Sequence, residues 1–214
     1  MGVDLCVFGN HSVALDRGNI IDKEKILKKL NSLKLEDSEF LMEKRCIWIN
    51  TPSENENEER KKQIRSWEIR REDEQYNECS LVGPFGLKID VAKHYVEIWH
   101  FVWRYHHWFE IDSKERNWWQ LYFCKIVRAF GGDYVLYLPD NAVKLSGYQP
   151  HCVDMPLDEQ ANIILKEYKP CFHSLEEATK WYSYIQTKYY NKHGQYTRLY
   201  PFVIDKFEDI EPQV

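Results

Sequence analysis

Near its start the chain reads Val3-Asp4-Leu5-Cys6-Val7-Phe8, an alternation that predicts a strand, closed by Gly9-Asn10. After Asp22, a residue suited to an N-cap, Ile26, Leu27, Leu30 and Leu33 recur at helical spacing with lysines on the opposite face. Residues 36–44 read as a second short helix. Cys46-Ile47-Trp48-Ile49 is a brief apolar run stopped by Thr51-Pro52 and reads as a strand. Ser53 to Glu59 is polar and acidic throughout. Such a stretch buries too little apolar surface to offset its ordering entropy, so 51–59 is assigned to an acidic loop. Between 60 and 82 sparse apolar positions (Ile64, Trp67, Ile69, Tyr76, Leu81) sit among charges, as in an edge hairpin. Gly83-Pro84-Phe85-Gly86 supplies a turn.

The densest aromatic stretch follows, with Tyr95, Trp99, Phe101, Trp103, Tyr105, Trp108, Phe109, Trp118, Trp119, Tyr122 and Phe123. His94 to Phe101 is β-branched and aromatic and predicts a strand. Asp112 and Glu115 make a capping box, opening a helix whose stripe is Trp119, Tyr122, Phe123, Ile126, Val127 and Phe130. Gly131-Gly132 stops it. Tyr134 to Leu138 is apolar at every position, as in a central strand covered on both faces. A helix from Leu157 to Tyr168, with Asp154 and Pro156 in capping positions, is expected to bury Leu157, Ala161, Ile164, Leu165 and Tyr168. Ser174 and Glu177 form another capping box, opening a helix with Leu175, Ala178, Tyr182, Ile185 and Tyr189 on one face and a stop near Gly194. Leu199 to Ile204 reads as a last strand, placed at an edge by Pro201, and the acidic tail 205–214 is expected to fray.

With no repeat and no Pro/Gly/Ser-rich linker, these elements predict one α+β domain over 1–214, a mostly antiparallel sheet packed by three to four amphipathic helices. The 214 residues suffice for a core without disulfides or metals. Hydrophobic residues at 43% and charged residues at 29% exclude wholesale disorder. No apolar run approaches the roughly 18 residues that span a bilayer, so no membrane partner is expected.

A net charge of −5, with no basic run longer than Arg60-Lys61-Lys62, argues against nucleic-acid binding. The six cysteines, at 6, 46, 79, 124, 152 and 171, make no C-x-x-C pair, so neither metal knuckle nor redox motif is present. Nothing at the start reads as a signal peptide, and the expected compartment is the reducing cytoplasm.

Candidate chemistry is sparse. Gly9-Asn10-His11 and Asp16-Arg17-Gly18 resemble pieces of the metallophosphoesterase signature, but in reversed order and with Ser12 where an acid is required, so they are read as a loop. His94, His100, His106 and His107 cluster in sequence. On one extended strand, however, a six-residue spacing separates Cα atoms by about 20 Å, too far for a shared ion. His151-Cys152 and Cys171-x-His173 offer zinc-ligand types at spacings foreign to zinc loops. No nucleotide, dinucleotide or nucleophile-elbow motif occurs. Neither metal nor cofactor is expected.

Trp103, Trp108 and Trp118 fall off the helical stripe, with Arg104 and Arg116 beside them. Tryptophan and arginine are the usual anchors of protein interfaces, so these five residues are the candidate binding face. The expected function is a non-catalytic protein-binding module, of the kind an immunity-type antidote uses to occlude a toxic partner. The alternative is a hydrolase or transferase with a spatially assembled site, drawing on His94, His100, Asp140 and the Gly83–Gly86 turn.

Overall fold

A computed structural model of the chain describes residues 4–17, 19–34, 66–73, 78–84, 87–99, 105–111, 113–139, 155–167, 170–193 and 201–207. The protein is a mixed α/β structure whose strands pair mostly antiparallel. The chain forms two compact units. One comprises Met1–Ser12, His94–Glu97 and Phe101–Val214; the other comprises Val13–Lys93 and Ile98–His100.

In the first unit, β1 (Leu5–Gly9) lies between the start of β7 (Val96–Trp99) and β8 (Tyr134–Pro139), antiparallel to both. β10 (Phe202–Lys206) continues the sheet beyond β8, and the two-residue β9 (Cys171–Phe172) runs parallel to β10 at the far side. All six residues of β8 are buried, as its unbroken apolar sequence requires of a strand paired on both edges and covered on both faces.

The edge position expected of the last strand is corrected here. Pro201 precedes β10 rather than sitting within it, so its missing N–H removes no ladder bond and the strand pairs on both sides. Nor does the tail fray from 205. Asp205 and Lys206 belong to β10, and Phe207 is buried with its N–H donating to the Asp133 carbonyl.

Among the described residues of this unit are the helices α2 (Tyr105–Glu110), α3 (Ser113–Ala129), α4 (Leu157–Glu167) and α5 (Leu175–His193). α3 forms as its stripe demands: Trp119, Tyr122, Phe123, Ile126, Val127 and Phe130 are all buried. Each contributes about 1.5–3 kcal/mol before ordering costs. At its end the Gly132 N–H reaches the Val127 carbonyl and the Gly131 N–H that of Arg128. With Gly131 at φ +81°, this is a Schellman stop that a residue with a β-carbon accommodates poorly. Ser174 caps α5, its hydroxyl accepting from the Glu177 N–H at 3.1 Å.

α2 is not anticipated by the sequence. Tyr105, Trp108 and Phe109 stand at i, i+3 and i+4 and are all buried on one face, whereas a strand would send Trp108 to the opposite face from Tyr105 and Phe109. The helix is too short for a strong periodic signal.

In the second unit, β2 (Leu15–Asp16) and β3 (Asn19–Ile20) make a small hairpin. α1 (Lys23–Asn31) buries Ile26 and Leu30 and turns its lysines outward. Asp22 occupies its N-cap, although the side chain makes no capping bond. β4 (Glu68–Asp73) pairs with β5 (Glu78–Val82), the expected charged hairpin, and β5 pairs onward with β6 (Lys88–Val91). Cys79, Leu81, Ile89 and Val91 share the buried face, while Ser80, Lys88 and Asp90 alternate onto the other.

The helix expected over 36–44, the strand at 46–49 and the acidic loop 51–59 lie outside the described residues. Among the described residues no helix is long and apolar enough to cross a membrane.

Candidate functional site

Of the five residues expected to form a binding face, the structure describes Trp108, Arg116 and Trp118. Trp103 and Arg104 lie outside the described residues. Trp108 is 0% exposed, its indole stacked on Tyr137 at 5.4 Å and tilted against Phe123 at 5.9 Å. Expected as a surface anchor, Trp108 is instead a core residue, because its helical spacing from Tyr105 turns it inward with the rest of the α2 apolar face. Arg116 is half-buried, and its Nη1 donates to the carbonyls of Ile111 at 3.1 Å and Phe109 at 3.4 Å. These carbonyls lie at the end of α2, where a cation complements the helix dipole, so Arg116 holds the helix terminus. Trp118 is half-buried, stacked flat on Tyr122 at 5.4 Å and edge-on to Trp119 at 5.0 Å.

α2 is pinned from inside. The Tyr105 hydroxyl donates to the Pro201 carbonyl and lies 2.9 Å from that of Tyr137, and burial pushes its pKa well up, so it stays a protonated donor. Phe109 stacks on Tyr182 of α5 at 5.0 Å. The positions left over, His106, His107 and Glu110, form the opposite face. His106 is half-buried, and His107 and Glu110 are exposed. The two imidazoles meet at 4.1 Å between centroids, and one ligand atom from each of the three residues lies within 4.8 Å of the others. An extended strand would have set His94, His100 and His106 along one face. The helical turn at 105–110 replaces that geometry and brings in Glu110, which no sequence motif had singled out. Its signal is the i, i+3 and i, i+4 spacing of H-H-x-x-E, visible only once 105–110 is taken as helix.

In the second unit, Trp99 is 51% exposed yet fixed. Its indole N–H donates to Asp90 Oδ2 at 2.7 Å, and Lys88 Nζ bonds the same oxygen at 2.7 Å while lying 5.4 Å from the Trp99 ring centroid. Ser80 donates to the other Asp90 oxygen. One carboxylate with three donors therefore sets the orientation of a large exposed aromatic surface.

No protein-family model, curated protein or solved structure matches the chain.

Of the catalytic and metal alternatives in the sequence, His94 is half-buried on the approach to β7, Cys171 is half-buried on β9 and His173 is exposed. His100, Asp140, His151, Cys152 and the Phe85-Gly86 end of the turn lie outside the described residues. Among the described residues, the His106, His107 and Glu110 trio is where three potential metal ligands converge. Buried polar chemistry beneath α3 is of another kind. Asp205 on β10 accepts from Gln120 Nε2 at 2.6 Å, and burial raises its pKa. Burial likewise drives up the Cys124 thiol and the Tyr137 hydroxyl, keeping both neutral and poor nucleophiles.

Proposed function

We propose that the protein is a non-catalytic protein-binding module of the immunity type, acting in the reducing cytoplasm. Its recognition surface centres on Trp99, with Lys88, Asp90 and Ser80 around it. The observation that carries this reading is the fixed exposure of Trp99. A free tryptophan side chain loses rotamer entropy on binding, whereas one already held by Asp90 and Lys88 has met that cost in advance. Interface hot spots are of this type, a large aromatic body with polar groups at its rim. The net charge of −5 favours a basic partner, and cysteines 6, 79, 124 and 171, present as thiols, accord with a reducing compartment.

The test begins with a photo-reactive benzoylphenylalanine in place of Lys88, expected to give one stoichiometric protein adduct in cells. That partner, produced separately, should bind Trp99→Ala about 30-fold more weakly than the parent chain, the ~2 kcal/mol of a hot spot. Equal affinity for the two proteins, or no discrete adduct, overturns the reading.

A further inference from the structure

We propose that His106, His107 and Glu110 form a binding site for a first-row divalent transition-metal ion on the outward face of α2. The site does not depend on the Trp99 surface.

The ligand set carries the first part of the argument. Two neutral imidazoles and one carboxylate are the donors that zinc, cobalt, nickel and ferrous iron prefer. Three protein ligands leave the remaining coordination positions open to water or to a group from outside.

The geometry carries the second. His106 and Glu110 are one helical turn apart, and His107 stands three residues before Glu110, so a single helix face presents all three. Their ligand atoms lie within 4.8 Å of one another. A tetrahedron with bonds of about 2.1 Å needs ligand separations of about 3.4 Å, so closure asks for at most about 1.4 Å of side-chain movement. His107 and Glu110 are exposed and can make that adjustment by rotamer change.

The third part is rigidity. A six-residue helix would not hold three ligands in place by its own stability. Here Tyr105, Trp108 and Phe109 tie the inner face to Pro201, Tyr137 and Tyr182, and Arg116 fixes the carbonyl end. The outer face is therefore presented by a scaffold that does not have to order on binding. His106 and His107 also touch each other rather than pointing apart, which places both donors on the same side of the backbone.

The test uses the full chain stripped with a chelator and titrated with cobalt(II), followed by absorption and by melting temperature. One equivalent should bind with a weak visible d–d band and no thiolate charge-transfer band in the near ultraviolet, and saturating zinc should raise the melting temperature. His107→Asn and Glu110→Gln, both at exposed positions, should keep the metal-free melting temperature. Each should weaken binding about 100-fold or more, since even the outer partners of ligands are worth about 10–100-fold. Absence of binding, a thiolate band, or unchanged affinity in both variants overturns the proposal.

Discussion

Asn10 ties the end of β1 to the start of β8. Its Oδ1 accepts from the backbone N–H groups of Asp133 at 2.9 Å and Tyr134 at 3.2 Å, and its Nδ2 donates to the Asp133 carboxylate at 2.7 Å. Asn10→Ala removes all three bonds and is expected to cost about 3 kcal/mol in urea unfolding, at roughly 1 kcal/mol per bond. Gly132 is bound to the same corner, because a β-carbon there would stand 2.0 Å from the Asn10 carbonyl oxygen.

Asp205 gives a second residue-scale prediction, with a sign set by burial. It is 7% exposed, and its pKa is raised above the usual 3.8, the bond from Gln120 only partly offsetting desolvation. The folded state therefore holds the proton more tightly than the unfolded chain does. The stability this contributes is complete below pH 3.8 and is lost as pH climbs through the folded pKa. Asp205→Asn should accordingly raise the melting temperature at neutral pH, with the gain shrinking toward zero below about pH 4. A variant that is less stable than the parent at pH 7 would contradict this account.

Among the elements, α2 is the most informative. Trp108→Ala leaves a cavity between Tyr137 and Phe123 and should cost about 3–5 kcal/mol by denaturant unfolding. Arg116→Ala loses the terminal carbonyl contacts, and a decrease of about 1 kcal/mol is expected in the same assay. The contrast separates a core residue from a helix-end residue, although composition alone puts both on one recognition face. α3 and β8 are legible in their own residues, because seventeen residues give several turns of a 3.6 period and six apolar residues in a row leave no exposed side. α2 is not. Six residues of mixed histidine and aromatic character satisfy strand and helix propensities about equally, and only the packing of Tyr105, Trp108 and Phe109 against Tyr137 and Tyr182 selects the helix.

For the molecule as a whole, the proposed binding role predicts that acidity and aromatic anchoring act on different rate constants. With a net charge of −5, association with a basic partner should slow as salt rises from 50 to 500 mM (about a threefold change in Debye length), leaving dissociation nearly unchanged. Trp99→Ala should do the reverse, hastening dissociation with little effect on association. Surface plasmon resonance on the cross-linked partner distinguishes the two, and a tryptophan effect confined to association would tell against a fixed docking surface.

Periodicity, capping residues and turn chemistry are local, so the alternation of β1, the stripe of α3, the Ser174 cap and the Gly131-Gly132 stop follow from neighbouring residues with no knowledge of the rest of the chain. Exposure and convergence are not local. Whether a tryptophan faces water depends on what packs over it, which is why Trp108 lies in the core while Trp99, unremarkable in the sequence, stands on the surface. The meeting of His106, His107 and Glu110 likewise required a helical turn that tertiary contacts impose, since no run of six residues carries enough free energy of its own to choose it.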